Sequence, residues 1–411
     1  MMLSDNVFPV CNYPDVVIET GQGSWVTDTQ GRHYLDLNSG QFCAVAGHSS
    51  PVLRKALMRS LETIQDTHTG MLSAAALQGL KDLGEISGFA NPHSILLTTG
   101  SEATEFALRY AKHLKEKDGV LALDVGYHGI THGVAGYSMS RARVRPPLPL
   151  SFAAPAPLNR DFSNPDSYDY SSELESLREI VEQNSRHIAA FILEPVISGG
   201  GMFALPPGYL YEAVKLCREN DIFVIYDECQ TGVGRLGDWF SYTGGELPEP
   251  DFVVAGKSLG LGIPVSSVTA NRDTVDLEKI TLGHFSSHQN EGFSGLIVSE
   301  CVNWIRQDDR LTYIRDAGQD FLRMLQALNH PMVNAPRGKG FMLAFDLTDD
   351  EPGGETIALG NRFVEEALKQ GLLMQHCNYG RTIRILPNYN TTREEFRDFI
   401  QRLEALFNEF E

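Results

Sequence analysis

The segment from Asp251 to Pro264 reads DFVVAGKSLGLGIP and joins a short apolar run to a lysine flanked by glycines. The run FVVA is typical of a strand that is buried on both faces. A lysine just after such a strand lies at the edge of a sheet, where open α/β proteins gather their functional groups. Three chemistries are open for this segment: nucleotide binding, hydrolysis by a serine, and attack of an amine on a carbonyl.

The first two chemistries fit the surrounding residues poorly. A P-loop has a glycine five residues before its G-K-S, but Asp251 stands there and would repel phosphate. A serine-hydrolase elbow centred on Ser258 needs a helix that starts at once, and the glycines before Pro264 disfavour one. The amine of Lys257 is therefore the favoured interpretation.

Two further motifs invite other interpretations. The stretch IFVIYDECQTGVGRLG contains a nominal G-x-G-x-x-G dinucleotide fingerprint at residues 232–237. DECQT separates it from the strand, and no ribose-binding acid follows at the usual spacing, so a nicotinamide enzyme is disfavoured. His128 and His132 have the spacing of a zinc pair on a helix, but adjacent glycines interrupt the helix and no third ligand is evident.

Short apolar runs alternate with helical patterns along the chain, which predicts an α/β fold with a mainly parallel sheet flanked by helices. A capping box is predicted at Ser172–Glu175. The division predicted is an N-terminal segment (1–45) that joins the small domain, a large domain (46–295) and a smaller α+β domain (296–411). The predicted strands are Ser94–Thr98, Val120–Asp124, Ile188–Leu193, Ile222–Asp227 and Phe252–Ala255, with a helix over Glu102–Lys117.

The composition narrows the class of protein. The 411 residues carry a formal charge of −19 with no long basic run, which argues against nucleic-acid and anionic-membrane partners. The sequence contains no run of about 18 apolar residues, so no membrane span is predicted. Six scattered cysteines without a C-x-x-C pair, and no signal-peptide pattern, predict a cytoplasmic protein.

The residues near Lys257 match the demands of pyridoxal phosphate, which a Schiff-base lysine holds as an electron sink. Asp227 ends an apolar strand, where its carboxylate can keep the pyridine nitrogen protonated. Gly100 and Ser101 open a helix after a strand, which suits a phosphate. Tyr127, in GYHG after the strand VLALD, offers an aromatic face.

These motifs resemble the class III pyridoxal-phosphate-dependent aminotransferases of fold type I. The resemblance rests on TTGSEATEFALR, GYHG, Glu194-Pro195, DECQTGVGRLG and AGKSLGLGIP, and it extends over nearly the whole chain. It implies a homodimer with a shared active site, in which Ser287 binds the phosphate of the neighbouring subunit. The other implied cofactor-binding residues are Gly100, Ser101, Tyr127, Glu194, Asp227, Gln230 and Lys257, with Lys257 and Asp227 catalytic.

Within the family, SGQFCAVAGH and EPVISGGGMFALPPGYL are most similar to the 2,2-dialkylglycine decarboxylases, which remove CO₂ before passing on the amino group. This resemblance implies that Gln41 contacts the departing carboxylate and that Arg384 binds a carboxylate. It also implies a potassium or sodium site at Ser73 and Glu291.

Two departures bear on the substrate. Ornithine-type members have an arginine where this chain has Ile130, and a gating glutamate where it has Gly199. Without them a second substrate carboxylate has no evident partner, so small or apolar amino acids and pyruvate-like acceptors are favoured. An amino-acid or lactam racemase is the alternative activity, and a non-enzymatic cofactor-binding protein is a remote one.

Overall fold

The computed structural model describes residues 7–8, 10, 14–64, 66–138 and 148–410. The helices of this part of the chain are α1 (Ser39–Phe42), α2 (Pro51–Leu61), α3 (Ala74–Ser87), α4 (Gly100–Lys115), α5 (Ser171–Asn184), α6 (Pro207–Glu219), α7 (Gly292–Arg306), α8 (Arg310–Ala327), α9 (Gly354–Lys369) and α10 (Arg393–Phe407). The strands are β1 (Ile18–Gln22), β2 (Trp25–Asp28), β3 (His33–Asp36), β4 (Pro92–Leu97), β5 (Gly119–Leu123), β6 (Ser151–Ala154), β7 (Ile188–Leu193), β8 (Val196–Ile197), β9 (Phe203–Ala204), β10 (Phe223–Asp227), β11 (Phe252–Ala255), β12 (Ser266–Asn271), β13 (Asn334–Lys339), β14 (Met342–Asp346), β15 (Leu372–Leu373), β16 (Gln375–Cys377) and β17 (Thr382–Ile385).

The largest sheet of the described residues has seven strands in the order β4-β12-β11-β10-β7-β5-β6. Neighbours from β11 to β6 are parallel, whereas β12 is antiparallel to both β11 and β4. Alternate residues of β10 enter different apolar clusters: Val224 and Tyr226 pack with α6, and Phe223 and Ile225 pack with α4. The sheet is therefore covered on both faces, and the predicted α/β fold is confirmed.

The two ends of the chain meet in smaller sheets. β3 pairs with β15 in parallel, so that Leu35 lies beside Leu372. β13, β14, β17 and β16 form an antiparallel sheet against which α8 packs. This arrangement is what a small domain built from both termini requires. The boundary at residue 295 falls inside the continuous helix α7, and we keep the division 1–45, 46–295 and 296–411 as a proposal.

The predicted capping box is wrong. Helix α5 begins at Ser171 after Tyr170, so Ser172 lies within the first turn. The carboxylate of Asp169 already accepts hydrogen bonds from the amide of Ser171 (3.1 Å) and from its hydroxyl (2.6 Å), which fixes the start of the helix one residue earlier. Along the described ranges, no helix combines the length and apolar character needed to cross a membrane.

Candidate active site

A cavity of about 600 Å³ opens where the central parallel strands end. Asp124 and Glu194 directly follow β5 and β7. Lys257 lies two residues after β11, and Asp227 is the last residue of β10. The parallel order of these strands brings their carboxyl ends to one edge. The sequence-predicted residues that line the cavity are Gln41, Gly100, Ser101, Tyr127, Glu194, Asp227, Gln230, Lys257 and Arg384.

Lys257 begins a short 3₁₀ turn, Lys257–Gly260, and its φ of 42° lies in the left-handed region. A non-glycine residue in this region is strained, and such residues concentrate at functional sites. Ser258 next to it is buried, and its Oγ accepts a hydrogen bond from the hydroxyl of Tyr389 at 3.2 Å. The geometry therefore presents the lysine to the cavity and excludes the serine-hydrolase elbow.

Asp227 is buried and paired. Its Oδ2 lies 2.9 Å from Nδ1 of His128, and its Oδ1 accepts from the amide of Cys229 at 3.1 Å. Burial alone would raise the pKa of Asp227, but these hydrogen bonds and the charges of His128 and Lys257 outweigh burial and lower it. The carboxylate therefore stays ionised inside the protein.

Glu194 lies beside this pair. Burial raises the pKa of Glu194 to about 7, while His128, the amide of Tyr127 and Lys257 oppose the shift. Its Oε2 accepts from the amide of Tyr127 at 2.9 Å, which fixes the turn that carries the tyrosine into the cavity.

The first turn of α4 forms another wall. Thr99 caps the helix by accepting from the amide of Glu102 at 3.3 Å, and Gly100 and Ser101 line the cavity. Gly129 packs so closely that a Cβ there would lie 2.5 Å from Oγ of Ser101, and its φ is 126°. A helix N-terminus carries a partial positive charge and free amides, which suit a phosphate.

Arg384 reaches the cavity from β17 and is held by neutral groups. Its guanidinium carbon lies 4.8 Å from the ring centre of Phe42, and Nη1 donates to Oγ of Ser198 at 3.4 Å. Nε is buried and has no hydrogen-bond partner among the described residues. No carboxylate of the described residues forms an ion pair with Arg384, so the positive charge of Arg384 is available to an anionic ligand.

The cavity fits pyridoxal phosphate. It combines an amine, an ionised buried carboxylate, an aromatic side chain and a helix N-terminus. Oε1 of Gln230 is buried without a partner among the described residues, so an acceptor stands ready for a hydroxyl of the bound group. Lys257, Asp227, Tyr127 and Gly100 would hold the cofactor here.

Three predicted residues lie outside this cavity. Ser73 caps α3 by accepting from the amide of Ala76 at 3.1 Å, and a Cβ on Gly292 would lie 2.8 Å from its Oγ. Glu291 precedes Gly292, but its carboxylate contacts Nδ1 of His288. Ser287 lies exposed on the surface of the chain. Among the residues that the structure describes, no cluster of His, Cys, Asp and Glu side chains is arranged to hold a metal.

Sequence reasoning missed the role of His128, which was considered only as a zinc ligand. Its place directly after Tyr127 at the end of a strand is the signal that could have linked it to Asp227. Residues 228–243, where the dinucleotide fingerprint was considered, form turns with no helix, so that interpretation is excluded.

The chain matches the class III aminotransferase family model over residues 9–407, and it belongs to this family. It is 29% identical to an uncharacterized aminotransferase of Schizosaccharomyces pombe, covering 94% of this chain and 89% of that one. It is 28% identical to the acetylornithine aminotransferase of Methanosarcina acetivorans, covering 95% and 91%. The PMP-bound aminotransferase of Vibrio fluvialis superposes with a TM-score of 0.88 at 22% identity, covering 97% of this chain and 96% of that one. The fold is fold type I, and pyridoxal phosphate is the cofactor.

Proposed function

We propose that this class III aminotransferase moves the amino group of a small or apolar amino acid to a pyruvate-like 2-oxo acid. One observation carries the proposal: Arg384 is the single arginine that lines the described cavity, and neutral side chains hold it. The exposed Ile130 and the small Gly199 stand where glutamate-type relatives have charged groups. One substrate carboxylate therefore has a partner, Arg384, and a second substrate carboxylate has none.

Bound pyridoxal phosphate supplies the electron sink for the bond that breaks at the substrate carbon. Asp227, whose carboxylate is kept ionised by His128, would hold a proton on the pyridine nitrogen of the bound group. Nζ of Lys257 would accept the proton that leaves the substrate carbon and would return it later in the transfer. Tyr127 and the first turn of α4 orient the group, and Arg384 anchors the carboxylate.

We also propose that 2,2-dialkylglycines are decarboxylated at this site. Their substrate carbon has no hydrogen, so only a carbon substituent can leave. Gln41 lines the cavity from the N-terminal segment, and its amide would donate to the substrate carboxylate that leaves as CO₂. An amide donor is suited to this role because it binds the carboxylate without adding a second positive charge.

Mixing the holoenzyme with 2-aminoisobutyrate tests both proposals. We expect loss of the yellow absorbance, release of CO₂ and acetone, and return of the colour when pyruvate is added and becomes alanine. Gln41→Ala should impair this reaction more than transamination of L-alanine, by about tenfold, on the scale of one hydrogen bond to a charged group. Gln401→Ala, an exposed change on α10, is the matched control.

If L-alanine bleaches the enzyme but no dialkylglycine releases CO₂, the protein is a plain aminotransferase. If D-alanine forms from L-alanine without any oxo acid, the racemase alternative holds. If 2-oxoglutarate restores the colour far faster than pyruvate, the substrate proposal is wrong.

We propose a homodimer that completes the cavity. Ile130 and Phe285 are 66% and 86% exposed, and Ser286 donates to Glu102 in the first turn of α4 at 3.0 Å. Exposed apolar side chains beside the first turn of α4 suit contact with a second copy, and Ser287 directly follows Ser286 there. Sedimentation of the holoenzyme tests the dimer.

We propose, too, that potassium or sodium binds at Ser73 and Glu291, a site at which His288 would have to release the carboxylate. Equal rates in potassium, sodium and a large organic cation would contradict this ion site. The free cysteines of the described residues support the proposed cytoplasmic location, which imaging of a tagged protein would test.

A further inference from the structure

The amide of Gln375 lies between the two groups proposed to bind the substrate carboxylate. Its Nε2 donates to Oε1 of Gln41 at 2.9 Å, and its Oε1 accepts from Nη2 of Arg384 at 3.5 Å. Gln375 begins β16 and is half-buried, and it is not among the residues that line the described cavity. It therefore reaches the site only through its neighbours.

The donors and acceptors of Arg384, Gln375 and Gln41 fix the orientation of both glutamine amides. A guanidinium can only donate, so the oxygen of Gln375 must face Arg384. The NH₂ group of Gln375 then faces Gln41, which must answer with its own oxygen. The remaining end of Gln41 is its NH₂ group, and it makes no hydrogen bond to the described residues.

The backbone around Gln41 is held independently. The carboxylate of Asp36 accepts from the amides of Asn38 (2.9 Å) and Gly40 (2.7 Å), and the hydroxyl of Ser39 donates to the carbonyl of Leu386 at 2.7 Å. The turn is fixed without Gln375, so the freedom that Gln375 removes is rotation of the Gln41 amide. Without this hydrogen bond the amide can rotate, and only one of its two orientations presents the NH₂ group to an anion.

We infer that Gln375 is a positioning residue that fixes the Gln41 amide with its NH₂ group toward the substrate carboxylate. This inference rests on the proposed function, in which Gln41 and Arg384 bind a monocarboxylic amino acid. Gln375 thereby sets the polarity of the carboxylate site without touching the substrate. It also ties the N-terminal segment to the sheet that carries Arg384.

Two variants test the inference. Gln375→Leu removes both hydrogen bonds, and we expect the KM for L-alanine to rise about fivefold with kcat nearly unchanged. Gln375→Glu keeps the shape but accepts only, so it draws the NH₂ group of Gln41 away from the substrate and pairs with Arg384. We expect its KM to rise about tenfold to a hundredfold. Gln401→Glu is the matched control and should behave as the wild type.

A double-mutant cycle of Gln375→Leu with Gln41→Ala separates a positioning role of Gln375 from a general structural role. If Gln375 acts through Gln41, adding Gln375→Leu to Gln41→Ala should change the KM by less than about twofold. An equal rise in both backgrounds, or no rise in either, overturns the inference. Gln375→Glu supplies the same comparison if the leucine variant fails to fold.

Binding of propionate, which has a carboxylate and no amine, distinguishes failure of this inference from failure of the proposed function. A wild-type protein that transfers no amino group from any monocarboxylic amino acid contradicts the proposed function. The propionate dissociation constant, followed through the cofactor absorbance, still reports on the carboxylate site. If propionate binds equally to wild type, Gln375→Leu and Gln375→Glu, the inference fails.

Discussion

The two walls of the cavity manage buried charge in opposite ways. At the strand ends, Glu194 and Asp227 line the cavity, and Glu228, next to Asp227 in the chain, is buried outside it; of the three carboxylates only Asp227 is paired with a histidine. The wall formed by β16, β17 and α1 contributes one arginine to the cavity, Arg384, which has only neutral partners among the described residues. The charge of Asp227 is balanced by His128 within the chain, whereas the charge of Arg384 is left for a ligand to balance.

The difference follows from what each group can do with its proton. A buried carboxylate can become neutral by binding a proton, and burial raises the pKa of Glu194 and of Glu228 to about 7. A guanidinium keeps its charge, so burying it is costly until an anion arrives. We therefore expect changes at the strand ends to affect every substrate, and changes at Arg384 to affect only substrates with a carboxylate.

The largest effect should come from Lys257→Ala. Removing the amine removes both the group that holds the cofactor and the group that moves the proton, so kcat should fall by about 10⁴-fold or more with every substrate. The rates at which pyruvate forms from L-alanine and acetone forms from 2-aminopropane measure this. Lys279→Ala, an exposed change in an ion pair with Asp276, is the control. A loss confined to L-alanine would break the comparison between the walls.

The strand-end wall is the part that the sequence could predict. The predicted bounds of Ile188–Leu193 and Phe252–Ala255 are those of β7 and β11. A strand end is a local property, since apolar runs mark buried strands and the next polar residue marks the edge. Asp227 and Lys257 follow from that rule, Glu194 is implied by the family resemblance, and the structure places all three around one cavity.

The other wall depends on contacts between distant parts of the chain. Gln375 meets Gln41 because β15 pairs with β3, and nothing local to either glutamine indicates this. The pairing of His128 with Asp227 likewise depends on β7 lying between β5 and β10. Sequence periodicity gives strands, but not the order in which they assemble.

The next effect should come from Arg384→Gln. Losing a hydrogen-bonded charge should lower kcat/KM for L-alanine by about 10-fold to 100-fold, because a hydrogen bond to a charged group contributes about 1.5–3 kcal/mol. Bleaching by 2-aminopropane, which has no carboxylate, should change by less than about threefold. Arg323→Gln, an exposed change on α8, is the control. An equal loss with the amine would show that Arg384 supports the cofactor instead.

The smallest effect concerns Glu228, whose pKa near 7 predicts a pH-dependent stability. Because its pKa is raised on folding, the stability it contributes is fully present below its ordinary pKa and is lost as pH rises through about 7. Glu228→Gln cannot titrate. The free energy of unfolding of the wild type relative to this variant should therefore fall between pH 5 and pH 8, by at most about 1.4 kcal/mol per pH unit.

Glutamine is a faithful substitute because of how Glu228 is held. The amide of Ser241 donates to Oε1 at 2.8 Å, which keeps that oxygen an acceptor in either state. Oε2 faces the hydroxyl of Thr231 at 2.5 Å, and a hydroxyl can reverse its direction, so the proton of the neutral acid belongs on Oε2. The glutamine NH₂ group occupies the same place. Urea unfolding at four pH values measures the difference, with the exposed change Glu404→Gln as control. If the free energies of unfolding of wild type and Glu228→Gln change in parallel with pH, Glu228 stays charged. Protonation of Glu228 would then not be how the strand ends accommodate its buried charge.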